Sequence, residues 1–228
     1  IISDDTFTGA YIEKGNLLES IGKTNEAIQN YEVAMNTTDP TSFIHKCIGR
    51  CHENLGNIYL AKKFYLKSIQ LEPSNENSWE SLILFFINQK KYKRAEYYLD
   101  RALEINSDST NLWKKSLELS ALNGKQERVM ISSNRLVELG NSKSDIFIHL
   151  IDFFIEKKVW VNAYEFAEEA VSSFPKNKNL ALRLAGCYLN LSRTEEGLNL
   201  LNPSSLNASE KTSFIKLFPN YGKLISDM

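Results

Sequence analysis

Cysteine, proline, glycine and net charge are all in short supply here. The 228-residue sequence holds three cysteines, five prolines and ten glycines. Three cysteines cannot build a disulfide scaffold, and they fit a reducing compartment. So few chain breakers argue against a many-turned β-protein and for helices. Lys plus Arg total 27 and Asp plus Glu total 28, a formal net charge of −1. That balance gives no reason to expect a protein clothed in phosphate contacts, although a local basic patch is compatible with it. No window approaches the roughly 20 apolar residues of a membrane span. The most apolar stretch runs only from Ser81 to Asn88, and Ile146 to Ile155 is interrupted by His149 and Asp152. No basic segment followed by an apolar run marks a secretory signal. The chain starts at Ile1, which leaves open a signal, an anchor or further repeats upstream. A cytoplasmic protein is the expectation.

What is present is a period. Ala27, Tyr31 and Ala34 recur as Ala61, Tyr65 and Ser68, then as Ala95, Leu99 and Ala102. The pattern fades to Val129, Ser133 and Leu136, returns as Ala163, Ala167 and Ala170, and ends in Gly197 and Leu201. Every step is 34 residues, with no insertion. A companion slot holds Tyr11, His45, Trp79, Trp113, Phe147 and Ala181, with Gly15 and Gly49 four residues after the first two. Another holds Leu18, His52, Phe86, Ser120, Phe154 and Tyr188. Pro73 and Pro175 close the second and fifth periods, and Pro40 closes the first one residue late.

Each period predicts a helix of about 14 residues, a short turn and a second helix of similar length. The turns fall at 22–24, 55–57, 89–91, 123–125, 157–159 and 191–193, where Gly22, Gly56 and Gly124 suit a positive φ. Small residues such as Ala27, Ala61, Ala95 and Ala163 let paired helices approach. One pair buries too little apolar surface alone, so stacking must supply the core. Ser116, Ser120 and Ser133 in the fourth period predict a local bend or looser packing there.

This array resembles the tetratricopeptide repeat family, whose 34-residue unit carries the same signature of an aromatic, Gly, Ala, aromatic, Ala and Pro. The resemblance implies an all-α solenoid of six repeats in a right-handed superhelix. The units are read as 8–41, 42–75, 76–109, 110–143, 144–177 and 178–211. Residues 1–7 are read either as the end of a preceding repeat or as a tail with Asp4, Asp5 or Thr6 capping the first helix. The array breaks at Asn202-Pro203. Residues 207–228 form a capping segment, whose helix starts at Asn207 or Ser209 and is stopped by Pro219. The order of features is also similar to the cytoplasmic tetratricopeptide proteins common in Bacteroidota. The matching residues are Cys47, Ile48, Gly49 and Cys51, and terminally Leu217, Phe218 and Pro219.

His45, Cys47, Cys51 and His52 invite a metal site, but helix geometry opposes it. At about 100° per residue the cysteines share one face and the histidines nearly the opposite one. Packed core histidines and small buried cysteines are the better reading. No Gly-rich phosphate loop or Ser-His-Asp spacing is present. The expectation is a non-enzyme with no cofactor, metal or small-molecule substrate.

The resemblance places the ligand on the first helices, along the concave face. The groove residues it implies are Ile12, Asn16, Phe43, Lys46, Arg50, Leu84, Ile87, Lys114, Lys115, Ile148, Asp152, Ile155 and Leu182. The carboxylate clamp of the chaperone-binding subgroup is incomplete. Ile12, Cys47, Asn77 and Ser81 stand where its Lys, Asn, Lys and Arg would be, and the register of Lys46, Arg50 and Lys115 does not complete it. An apolar strip with polar flanks suits an extended peptide or an amphipathic helix of another protein. The function read from this is a non-catalytic adaptor. The alternative is a structural subunit of a larger protein or nucleoprotein assembly, with nucleic acid or a ribosome as partner. It would make contact by convex or basic surfaces, chiefly Lys90, Lys91, Lys93 and Arg94, near Lys62, Lys63 and Lys67.

Overall fold

The structure is a computed structural model that describes residues 5–37, 41–201 and 206–223. Residues 1–4, Pro40, the Asn202-Pro203 break and the end of the capping segment at 224–228 lie outside the described residues. Thirteen α-helices and no strand occur among the described residues. They are α1 (Asp5–Ser20), α2 (Thr24–Thr37), α3 (Ser42–Asn54), α4 (Ile58–Leu71), α5 (Glu76–Asn88), α6 (Tyr92–Ile105) and α7 (Thr110–Leu122). Then follow α8 (Gln126–Glu138), α9 (Lys143–Glu156), α10 (Trp160–Ser173), α11 (Lys178–Asn190), α12 (Thr194–Leu201) and α13 (Ala208–Leu217). The second helix of each pair starts at Thr24, Ile58, Tyr92, Gln126, Trp160 and Thr194, all 34 residues apart.

That constancy comes from one turn used six times. The residue two positions before each second helix takes a left-handed conformation, at Gly22, Gly56, Lys90, Gly124, Lys158 and Ser192. The next amide then reaches back five residues, as in Lys23 N–H to the Leu18 carbonyl and Lys91 N–H to the Phe86 carbonyl, both 2.8 Å. This Schellman closure satisfies carbonyls that a helix end otherwise leaves open. Three of the six positions are not glycine, so Lys90, Lys158 and Ser192 each carry a cost of about 1–2 kcal/mol for the left-handed backbone.

The chain divides into two compact units, residues 1–119 and 120–228. In the first, α1 packs with α2, α3 with α4 and α5 with α6, while α2 also meets α3 and α4 meets α5. Tyr31 and Tyr65 are fully buried at equivalent slots. Their rings lie against Gly15 and Gly49, where an added Cβ would come within 2.5 Å and 2.9 Å of ring carbons. Glycine at those two slots is what lets an aromatic fill the space between the helices.

The second unit holds α8 to α13. Here the size pattern of α8 is inverted. Val129 and Leu136 stand where other second helices have Ala, Gly or Ser, Ser132 stands where Phe64, Tyr98, Phe166 and Leu200 do, and Ser133 stands where Tyr31, Tyr65, Leu99 and Leu201 do. A cavity of about 240 Å³ lies among Val129, Ser133, Ile146, Phe147, Leu150 and Phe166. The looser fourth repeat is thus a matter of missing side-chain volume. At the far end Asn207 caps α13 with a reciprocal Glu210 capping box. Phe214 and Phe218 are buried, and the Phe218 ring rests on Gly186 of α11.

Candidate functional site

In the first unit α1, α3 and α5 present corresponding faces one period apart. Phe43 on α3 is 41% exposed and Leu84 on α5 is 37% exposed. The Lys46 ammonium stands 5.1 Å above the Phe43 ring, a cation–π contact that keeps both side chains at the surface. Ile12 and Ile87 are half-buried and lean on the core, so they border this face rather than project from it.

The polar residues of the face are largely engaged in bracing the stack. The Tyr31 phenol donates to Asn16 Oδ1 at 2.8 Å and to Glu19 Oε2 at 3.2 Å. The Arg50 guanidinium grips the same Glu19 carboxylate in two places, Nη2 to Oε2 at 2.7 Å and Nε to Oε1. One period on, the Tyr65 phenol donates to Glu53 at 2.7 Å, and the Asn88 amide donates to the other oxygen of that carboxylate at 3.2 Å. Burial beside these carboxylates pushes both phenols well above the ordinary tyrosine range. Lys115 pairs with Glu118 at 3.0 Å and Lys114 is half-buried. The expected basic cluster is therefore reduced. Arg50 and Lys115 are neutralised, leaving Lys46 and Lys114 as its cations without an ion pair among the described residues.

The second unit departs from expectation in a similar way. Asp152 of α9 receives both forks of Arg183 of α11 at 2.7 Å. Ile155 and Leu182, expected to be partly exposed, are 7% and 5% exposed. They lie on α9 and α11, which pack against each other and cover that part of the face. Ile148 is half-buried.

The histidines and cysteines of α3 separate by face. His45 and His52 both lie against the Phe64 ring, at centroid distances of 6.0 and 5.4 Å. Cys47 and Cys51 are fully buried elsewhere on the helix. Burial raises the thiols, Cys51 and Cys187 to about 12. No group of three or more candidate metal ligands occurs among the described residues. On the other surface Lys90, Lys91, Lys93 and Arg94 are exposed, with the Arg94 guanidinium 6.0 Å from the Phe86 ring centre.

Taken together, the helix pairs of constant period define an all-α helical-repeat protein. Residues 8–36 and 48–75 match the tetratricopeptide repeat model. The sequence is 22% identical over 225 residues to the tetratricopeptide repeat-containing protein trd-1 of Caenorhabditis elegans, covering 94% of this chain and 29% of that protein. It thus spans less than a third of that relative's length. It is 25% identical over 140 residues to the photosystem I assembly protein Ycf3 of Rippkaea orientalis, covering 60% of this chain and 78% of that one. A solved tetratricopeptide repeat protein from Parabacteroides merdae shares the fold at a TM-score of 0.60 and 12% identity, over 96% of this chain and 89% of that chain. Two segments of the chain thus match tetratricopeptide repeats, and the chain shares its fold with a solved tetratricopeptide repeat protein. No helix among the described residues is long and apolar enough to cross a membrane.

Proposed function

We propose that this protein is a non-catalytic adaptor that binds a peptide or helical segment of another protein on its first-helix face. The observation that carries the reading is the pair Phe43 and Leu84, both exposed, on the successive first helices α3 and α5. The polar residues around them are held by the stack. The face is therefore set in shape before a ligand arrives, which lowers the ordering cost of binding. Lys46 beside Phe43, with Lys114 on α7, gives the ligand a basic flank. Tetratricopeptide proteins as a class mediate protein–protein contacts, and one relative is named an assembly protein, which agrees with such a role. In the second unit the half-buried Ile148, at the slot of Lys46 and Lys114, is the apolar residue assigned to the same first-helix face.

A pull-down from native lysate at low and high salt tests this. Wild type is compared with a Phe43→Glu/Leu84→Glu/Ile148→Glu variant of unchanged helical circular dichroism. A partner lost with the variant and retained by wild type in high salt supports the apolar face. A partner kept by the variant overturns it.

A further inference from the structure

The second-helix surface of the first unit carries a pattern that the adaptor reading does not use. On α4, Tyr59, Lys63 and Lys67 recur at four-residue spacing and all are exposed. On α6, Lys93, Tyr97 and Arg101 occupy the same three slots one repeat later, and all are exposed. Cation and ring exchange places between the helices, Tyr59 corresponding to Lys93 and Lys63 to Tyr97. Tyr59 is 77% exposed and Tyr97 55%, unusual for rings of that size. Helix α4 has three lysines and no acidic residue. Lys90, Lys91 and Arg94 extend the basic surface at the start of α6. On α6, Glu96 is buried and Asp100 is exposed, and the exposed Glu104 carboxylate stands 3.9 Å from the Arg101 guanidinium, a loose, solvent-screened pair that a phosphate can displace.

We propose that this α4–α6 surface binds single-stranded nucleic acid, with phosphates on Lys63, Lys67, Lys93 and Arg101 and bases stacked on Tyr59 and Tyr97. The cations alone would suit any polyanion. The interleaved rings select a strand with unpaired bases, because every base has a face to stack and a carboxylate peptide has none. A duplex keeps its bases stacked inside and offers the tyrosines nothing.

Fluorescence anisotropy tests this with the full chain and three labelled probes: a 12-residue oligouridylate, a duplex of equal length and an oligoglutamate of similar charge. The oligouridylate is expected to bind most tightly at 50 mM salt. With four phosphate contacts, log K falls against log salt with a slope of about −3, and Lys63→Ala makes it shallower by about 0.7. Tyr59→Ala and Tyr97→Ala each weaken binding about tenfold. Both tyrosines are exposed, and an unchanged melting temperature shows that their variants fold. Phe43→Glu leaves oligouridylate binding unchanged, which separates this surface from the first-helix face. Absence of binding at 50 mM salt overturns the proposal. So does oligoglutamate or duplex binding as tight as oligouridylate, or tyrosine variants equal to wild type, since each leaves only a surface that attracts anions.

Discussion

The contact between Phe218 and Gly186 makes a prediction whose sign reverses with context. A Cβ added at Gly186 would overlap the Phe218 ring, which is 2% exposed and cannot swing aside without leaving its site. Glycine to alanine inside a helix is otherwise favourable by about 1 kcal/mol. Overpacking costs about 1–3 kcal/mol when neighbours adjust, and losing a buried Phe altogether costs about 3–5 kcal/mol. Gly186→Ala should therefore destabilise the wild type by about 2 kcal/mol net. In a Phe218→Ala background the clash is gone, and the same substitution should stabilise by about 1 kcal/mol. The coupling across the cycle is about 3 kcal/mol, large for a single pair. Because repeats can unfold piecemeal, a local probe is needed alongside global urea melts. Trp160 provides one, with its ring centre 6.4 Å from that of Phe218. Fluorescence at Trp160 and hydrogen exchange along α11 and α13 would follow release of the cap. An equal effect of Gly186→Ala in both backgrounds would refute the packing argument.

Three further outcomes follow from the turns, the cavity and the thiols. Lys90→Gly, Lys158→Gly and Ser192→Gly should each stabilise by roughly 1 kcal/mol in urea melts, whereas Gly56→Ala should cost a similar amount, because only the first three relieve a left-handed backbone. Ser133→Leu, which restores the residue found at the same slot in Leu99, should fill part of the 240 Å³ cavity and stabilise by about 1–2 kcal/mol, read as a higher melting temperature. Cys51 and Cys187 are raised in the fold to about 12, against an ordinary cysteine value of about 8.5. The folded state then holds protons that the unfolded state has released, so stability is full below about pH 8.5 and falls as pH climbs toward 12. Melting temperatures at pH 7.5 and 10 check this, and Cys51→Ala should flatten the dependence.

Much of the fold was legible because the period is written in residue size. Ala27, Ala61, Ala95 and Ala163 mark close helix approach, and they fixed the second helices to within a few residues. Lys90, Lys158 and Ser192 were not legible as left-handed residues, since nothing in a lysine or serine announces positive φ. The repeating five-residue amide closure imposes it on them. A bend or looser packing in the fourth repeat was expected from Ser116, Ser120 and Ser133; of the three only Ser133 lines the cavity, and Val129, at an alanine slot, lines it too.

The candidate face was read less well. Arg50 and Asp152 looked available for a ligand, yet each is tied to Glu19 or Arg183 at a separation of 31 residues. That spacing is one period less one helical turn, where consecutive first helices meet. Opposite charges 31 apart were the signal that could have revealed both braces. Ile155 and Leu182 were misread for a related reason. Their exposure depends on how closely α9 and α11 pack, which a slot number cannot convey.

The most direct test of the adaptor account is site-specific photo-cross-linking in cells. A photoreactive amino acid replaces Phe43 or Leu84 on the first-helix face, or Val33 on α2 as an exposed control away from it. The account predicts that positions 43 and 84 both join the same short segment of one partner protein, and that position 33 does not. Cross-links confined to position 33, or unrelated products at 43 and 84, would contradict it.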